Sequence, residues 1–131
     1  MKVLLVDDEQ SLLDVFSQTL ETGGFQVVTS LNGKDGLEKA QEQMPDMVLL
    51  DQVLPDMAGN EVLQMLKSNP VTKEIPVAIL SNFNQRELVQ DAINLGAVDY
   101  ILKYKIEPKD LIEKVNQTIE EHKSNSAMKI E

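Results

Sequence analysis

The sequence predicts an α/β domain: a doubly wound, five-stranded parallel sheet in the order 2-1-3-4-5, flanked by five helices. Three observations carry that expectation. Five short apolar runs alternate with five amphipathic segments along 131 residues, a β-α beat that argues for right-handed parallel crossovers. Several runs are continuous (VLLV, MVLL, VAIL), as in strands covered on both faces. The residues closing those runs are chemically related, being acids, one hydroxyl and one ammonium. In an open parallel sheet such residues share the edge where ligands sit.

The elements follow in order. The first strand spans Lys2–Val6, and a helix at about Ser11–Glu21 has Leu12, Leu13, Phe16 and Leu20 on one face. Gly23 and Gly24 stop that helix. Strands at Gln26–Thr29, Met47–Leu50, Val77–Leu80 and Tyr100–Leu102 alternate with helices at Gly33–Glu42, Gly59–Ser68, Gln85–Leu95 and Pro108–Lys123. Pro108 suits the first turn of its helix, where a missing N–H costs nothing. One domain over 1–123 and a flexible tail over 124–131 are expected.

Composition narrows the function. An apolar fraction of 42% with 26% charged residues is globular, not disordered. No apolar run approaches a membrane span or a signal peptide, and cysteine is absent. A cytoplasmic protein is expected, with neither disulfides nor a thiolate metal site. Formal net charge of −10 aids solubility and argues against direct nucleic-acid binding.

At the strand ends stand Asp7, Asp8 and Glu9, then Asp51, Ser81 and Lys103. Two carboxylates about 4 Å apart repel by roughly 4 kcal/mol at an effective dielectric near 20, so the acids need an offset. Oxygen ligands without His or Cys suit Mg²⁺ or Mn²⁺. A carboxylate beside such an ion stays ionised and can attack phosphorus, with Lys103 and the Ser81 hydroxyl placed to stabilise charge. The reading is phosphoryl transfer onto Asp51.

The stretches VLLVDDEQ, PDMVLLDQVLPDMAG, PVAILSN and GAVDYILK, in that order and spacing, resemble the receiver domain of two-component response regulators. Single-domain chemotaxis-type regulators are the nearest architectural match, and the resemblance covers about Met1–Lys123. It implies a flavodoxin-like fold with Asp51 as phosphoacceptor. Asp8 would ligate the metal directly, Asp7 through a water, and Val53 through its backbone carbonyl. Ser81 would be the switch hydroxyl, Lys103 the phosphoryl-pairing lysine and Tyr100 the aromatic that moves with the hydroxyl. Pro55 and Gly59 shape the loop over the site. Lys105 competes with Lys103 for the inward position, and the spacing to Tyr100 favours Lys103.

The resemblance further implies phosphorylation by a sensor histidine kinase or a phosphotransfer protein. Output would pass to a partner protein through the face of the fourth helix, fifth strand and fifth helix, with Lys103-Tyr104-Lys105 and Gln85–Asn94 as contacts. The protein would be a monomer or a phosphorylation-dependent dimer, and no enzyme beyond its own phosphorylation and dephosphorylation. Two positions depart from the pattern. Tyr104 stands where a cis proline is usual, so the loop is either strained or built differently. Asn82 and Phe83 add bulk after Ser81, which predicts altered phosphorylation and decay rates. Glu9 reads as a helix-start acid, His122 as a solvated helix-end residue, Met44, Met47 and Met65 as core filler, and Met57 as partly exposed near the site. Competing readings are the N-terminal receiver of a longer DNA-binding regulator, a small aspartyl-phosphate phosphatase, an FMN carrier and an inactive docking module. Adjacent acids rather than D-x-D after the first strand weigh against the phosphatase. DDEQS would repel a flavin phosphate.

Overall fold

The structure is a computed structural model that describes the backbone of residues 1–130 and the side chains of residues 1–124. Its elements run β1 (Lys2–Val6), α1 (Gln10–Thr22), β2 (Gln26–Ser30), α2 (Gly33–Gln43), β3 (Met47–Asp51), α3 (Gly59–Ser68), β4 (Val77–Ser81), α4 (Arg86–Asn94), β5 (Asp99–Leu102) and α5 (Pro108–Ile130). The sheet is wholly parallel in the order β2-β1-β3-β4-β5, so the expected topology is the observed one.

Strand alternation explains the continuous apolar runs. Leu4, Val6, Val48, Leu50, Val77 and Ile79 face one way and pack under α2, α3 and α4 with Ala40, Val62, Leu63, Leu66 and Ala92. Val3, Leu5, Met47, Leu49, Ala78 and Leu80 face the other way, against Leu13 and Leu20 of α1 and Leu111, Val115 and Ile119 of α5. Each of these apolar strand residues therefore packs against helices on its own side of the sheet.

Strands β2, β3 and β4 each extend one residue past the expected ends, to Ser30, Asp51 and Ser81. These polar groups belong to the ladder: Asp51 pairs with Leu80, and Ser81 with Leu102. Helix α5 also runs past 123, and the expected tail over 124–131 lies, beyond Ser124, outside the residues described in full. Met47 is core filler as expected, but Met44 and Met65 are half exposed. Met44 instead ends α2 in the left-handed conformation, with φ 47°, and its N–H closes on the Ala40 carbonyl. No helix among the described residues is long and apolar enough to cross a membrane.

Candidate functional site

The sheet's carboxyl edge assembles the residues that the sequence scatters. After Val6 the strand alternation turns Asp7 inward and Asp8 outward; Asp7 is fully buried and Asp8 exposed. Asp7 Oδ1 accepts the Glu9 N–H at 2.9 Å, an Asx-type turn that leads into α1. Glu9 is the N-cap residue of α1 but makes no capping bond through its side chain. Backbone ladders fix the other members: the Gln52 N–H donates to the Leu80 carbonyl and the Lys103 N–H to the Ser81 carbonyl, both at 3.0 Å. Asp51, Ser81 and Lys103 are thereby locked in register across β3, β4 and β5.

Lys103 joins the cluster. Its Nζ lies 2.6 Å from Asp7 Oδ2 and 2.9 Å from Asp51 Oδ1. All three side chains are nearly excluded from solvent, with exposures of 7%, 0% and 8%. Asp7 Oδ2 has this close ion contact but no aligned hydrogen bond. Lys105 instead lies over the Tyr104 ring, 5.8 Å from its centre, so Lys103 is the inward lysine. Its burial also removes it from the expected surface contacts, of which Tyr104 and Lys105 remain exposed.

Electrostatics follow from this burial. Desolvation raises the Asp51 carboxyl above the ordinary range, with Asp7 adding repulsion and Lys103 countering in part. Desolvation alone would lower the Lys103 ammonium, but Asp7 and Asp51 outweigh it and raise the group instead.

Ser81 is buried, and its Oγ accepts the Phe83 N–H at 2.9 Å. That leaves the hydroxyl proton free to donate. The Tyr100 hydroxyl donates to the Phe83 carbonyl at 2.9 Å. Phe83 thus touches both residues expected to switch, a link not legible beforehand. A Val53–Ala58 bridge closes the loop over the site, and the Gly59 N–H donates to the Gln52 carbonyl at 2.7 Å. A Cβ on Gly59 would stand 2.3 Å from the Asp51 carbonyl oxygen, so close approach demands the glycine. Pro55 sits exposed in that loop. Every peptide bond among the described residues is trans. The loop at Tyr104 is therefore built differently, as a turn closed by the Lys105 N–H on the Leu102 carbonyl.

The donor set fits a hard divalent cation. Carboxylate oxygens of Asp7, Asp8 and Asp51 lie within 4.8 Å of one another, and among the described residues no histidine or cysteine joins the group. Asp8 opens the cluster to water, which such an ion retains in its shell.

Five parallel strands with an acid cluster, a hydroxyl and a lysine at one edge define a flavodoxin-like module with an acidic pocket at its topological switch. The model of the response regulator receiver domain matches residues 3–116, and the chain belongs to that family of two-component signalling domains. Among curated relatives it is 33% identical over 102 residues to the alkaline phosphatase synthesis transcriptional regulatory protein PhoP of Bacillus subtilis, covering 78% of this chain and 42% of that one. It is 32% identical over 114 residues to the phosphate regulon transcriptional regulatory protein PhoB of Escherichia coli, covering 87% and 49%. The chain thus spans less than half the length of these relatives. A CheY-like receiver domain protein from Methanospirillum hungatei superposes with a TM-score of 0.88 at 29% identity, covering 95% and 97% of the two chains. The chemotaxis protein CheY4 of Vibrio cholerae gives 0.83 at 29%, covering 89% and 97%.

Proposed function

We propose that this domain accepts a phosphoryl group on Asp51 from the phosphohistidine of a sensor kinase or phosphotransfer protein, and signals by a conformational switch. The observation that supports the reading most is the triad of Asp7, Asp51 and Lys103, with one ammonium held between two buried carboxylates at 2.6 and 2.9 Å. An Asp51 carboxylate oxygen attacks phosphorus, forming the O–P bond as the N–P bond of the donor breaks. The electron pair leaves on the imidazole nitrogen. Lys103 then pairs with the incoming negative oxygens, and the free Ser81 O–H donates to one of them. Asp8, Asp51 and the Val53 carbonyl would hold Mg²⁺ or Mn²⁺, with Asp7 acting through a water. The ion would neutralise charge on the transferring group.

The phosphoryl group adds about −1.5 to −2 charges. Once Ser81 Oγ turns toward that group it leaves the Phe83 N–H, and Phe83 also holds Tyr100. The switch therefore reads out on the α4–β5–α5 face, where Tyr104, Ile93 and Val98 are exposed and a partner protein would dock. The module spans 1–123 and works in the cytoplasm, as a monomer or a phosphorylation-dependent dimer. PhoP and PhoB are by name transcriptional regulators more than twice the matched length, which supports a second reading as the receiver part of such a regulator. DNA contacts would then lie outside this acidic module. Whole-protein mass after acetyl phosphate and Mg²⁺ tests the assignment. One phosphoryl group on wild type and none on Asp51→Asn is expected; equal labelling of both would overturn it.

A further inference from the structure

The loop that covers the acid cluster is fastened to an element that carries none of the site residues. Asp56, five residues past Asp51, reaches across to α2. Its Oδ1 accepts the Gly33 N–H at 2.8 Å and its Oδ2 the Lys34 N–H at 2.9 Å. These are two of the free N–H groups at the helix start. The helix already has its own cap, since Asn32 Oδ1 accepts the Asp35 N–H at 2.8 Å. Asp56 therefore completes the end from outside, with its charge favoured by the helix dipole. Beside it Met57 packs so tightly that a Cβ on Gly33 would stand 2.4 Å from Met57 Cγ and 2.7 Å from its sulfur. At its base the loop is closed by the Val53–Ala58 bridge and by Gly59 on Gln52. The segment from Gln52 to Ala58 is thus pinned at both ends.

We infer that Asp56 is a positioning residue: by clamping the loop to the start of α2 it presets Val53 and Asp51 for the cation, and couples α2 to the site. The inference rests on the cation-binding reading of Asp7, Asp8 and Asp51, and it makes α2 a lever on that pocket. Binding and capping must be reciprocal, since a cap that strengthens ion binding is itself strengthened by the ion to the same extent. Asp56 is exposed, so its replacement leaves no cavity and the fold should persist.

The test needs no phosphodonor. Mg²⁺ is titrated into wild type, Asp56→Ala and Asp56→Asn, following backbone amide resonances near Asp51, and hydrogen exchange is measured at the Gly33 and Lys34 amides with and without Mg²⁺. The expected result is Mg²⁺ affinity weakened roughly fivefold or more in Asp56→Ala and partly restored in Asp56→Asn, which keeps one acceptor. In wild type, Mg²⁺ should slow exchange at Gly33 and Lys34 by the same factor. A wild type that binds Mg²⁺ while Asp56→Ala binds it equally well, with Gly33 and Lys34 exchange indifferent to the ion, overturns the clamp and leaves the site reading intact. A wild type that shows no Mg²⁺ response overturns both.

Discussion

Replacing Lys103 by methionine probes the cluster at its most heavily loaded atom. At 2.6 and 2.9 Å and an effective dielectric near 20, each ion contact is worth about 6 kcal/mol before desolvation is charged against it. The carboxylate oxygens of Asp7, Asp8 and Asp51 all lie within 4.8 Å of one another, so each pair repels by about 3.5 kcal/mol or more on the same scale. Methionine keeps the apolar stem and removes both attractions, leaving Asp7 buried beside Asp51 without compensation. Breaking a buried pair from one side costs roughly 3–5 kcal/mol. For a domain of this size that corresponds to a drop in Tm of about 10–20 °C, measured by circular dichroism in EDTA. The variant must also recover stability as pH falls, because burial already raises Asp51 in the folded chain and, without Lys103 to counter it, that carboxyl takes up a proton more readily there than in the unfolded chain. Excess Mg²⁺ should restore more stability to Lys103→Met than it adds to wild type. A Tm within about 3 °C of wild type, with no added pH dependence, would refute the reasoning.

Asp51→Asn should raise the Tm in EDTA at neutral pH. Asp51 has a raised folded pKa, so its charged form opposes folding above that pKa, while its contribution is fully recovered below the unfolded value of about 3.9. The advantage of the variant must therefore vanish in acid, and a variant less stable than wild type at neutral pH would contradict it. Gly59→Ala should destabilise by about 1–3 kcal/mol or more, since its Cβ meets backbone at 2.3 Å and 2.8 Å; chemical denaturation checks this, and a neutral effect would mean that the loop can yield. Tyr100→Phe removes one hydrogen bond to the Phe83 carbonyl and should cost about 0.5–1.5 kcal/mol by the same assay, with the Phe83 amide resonance shifted. An unmoved Phe83 resonance would argue against the link.

The fold was legible because parallel strands covered on both faces leave an unmistakable pattern, and VLLV, MVLL and VAIL are that pattern. The location of the site followed from topology alone, since Asp51 and Ser81 end β3 and β4 and Lys103 directly follows the last residue of β5. What stayed illegible were matters of side-chain direction. Nothing in DDE says which aspartate turns inward, and the structure buries Asp7 against Lys103 while exposing Asp8. Met44 and Met65 look like filler in one dimension, yet lie half exposed on α2's end and on α3. The clamp from Asp56 to Gly33 and Lys34 joins residues some 22 positions apart, a contact that no local motif encodes. A capping signal did exist in Asn32 followed by Asp35, but it points to the helix's own cap and not to a second one from the loop.

Trapping the acyl phosphate tests the central claim most directly. Borohydride reduces an aspartyl phosphate to homoserine, and peptide mass spectrometry then reads the position. Treatment with a phosphodonor and Mg²⁺ should leave homoserine at position 51 alone, and none when EDTA replaces the ion. Homoserine at position 7 or 8, or a mark at 51 indifferent to Mg²⁺, would contradict the account.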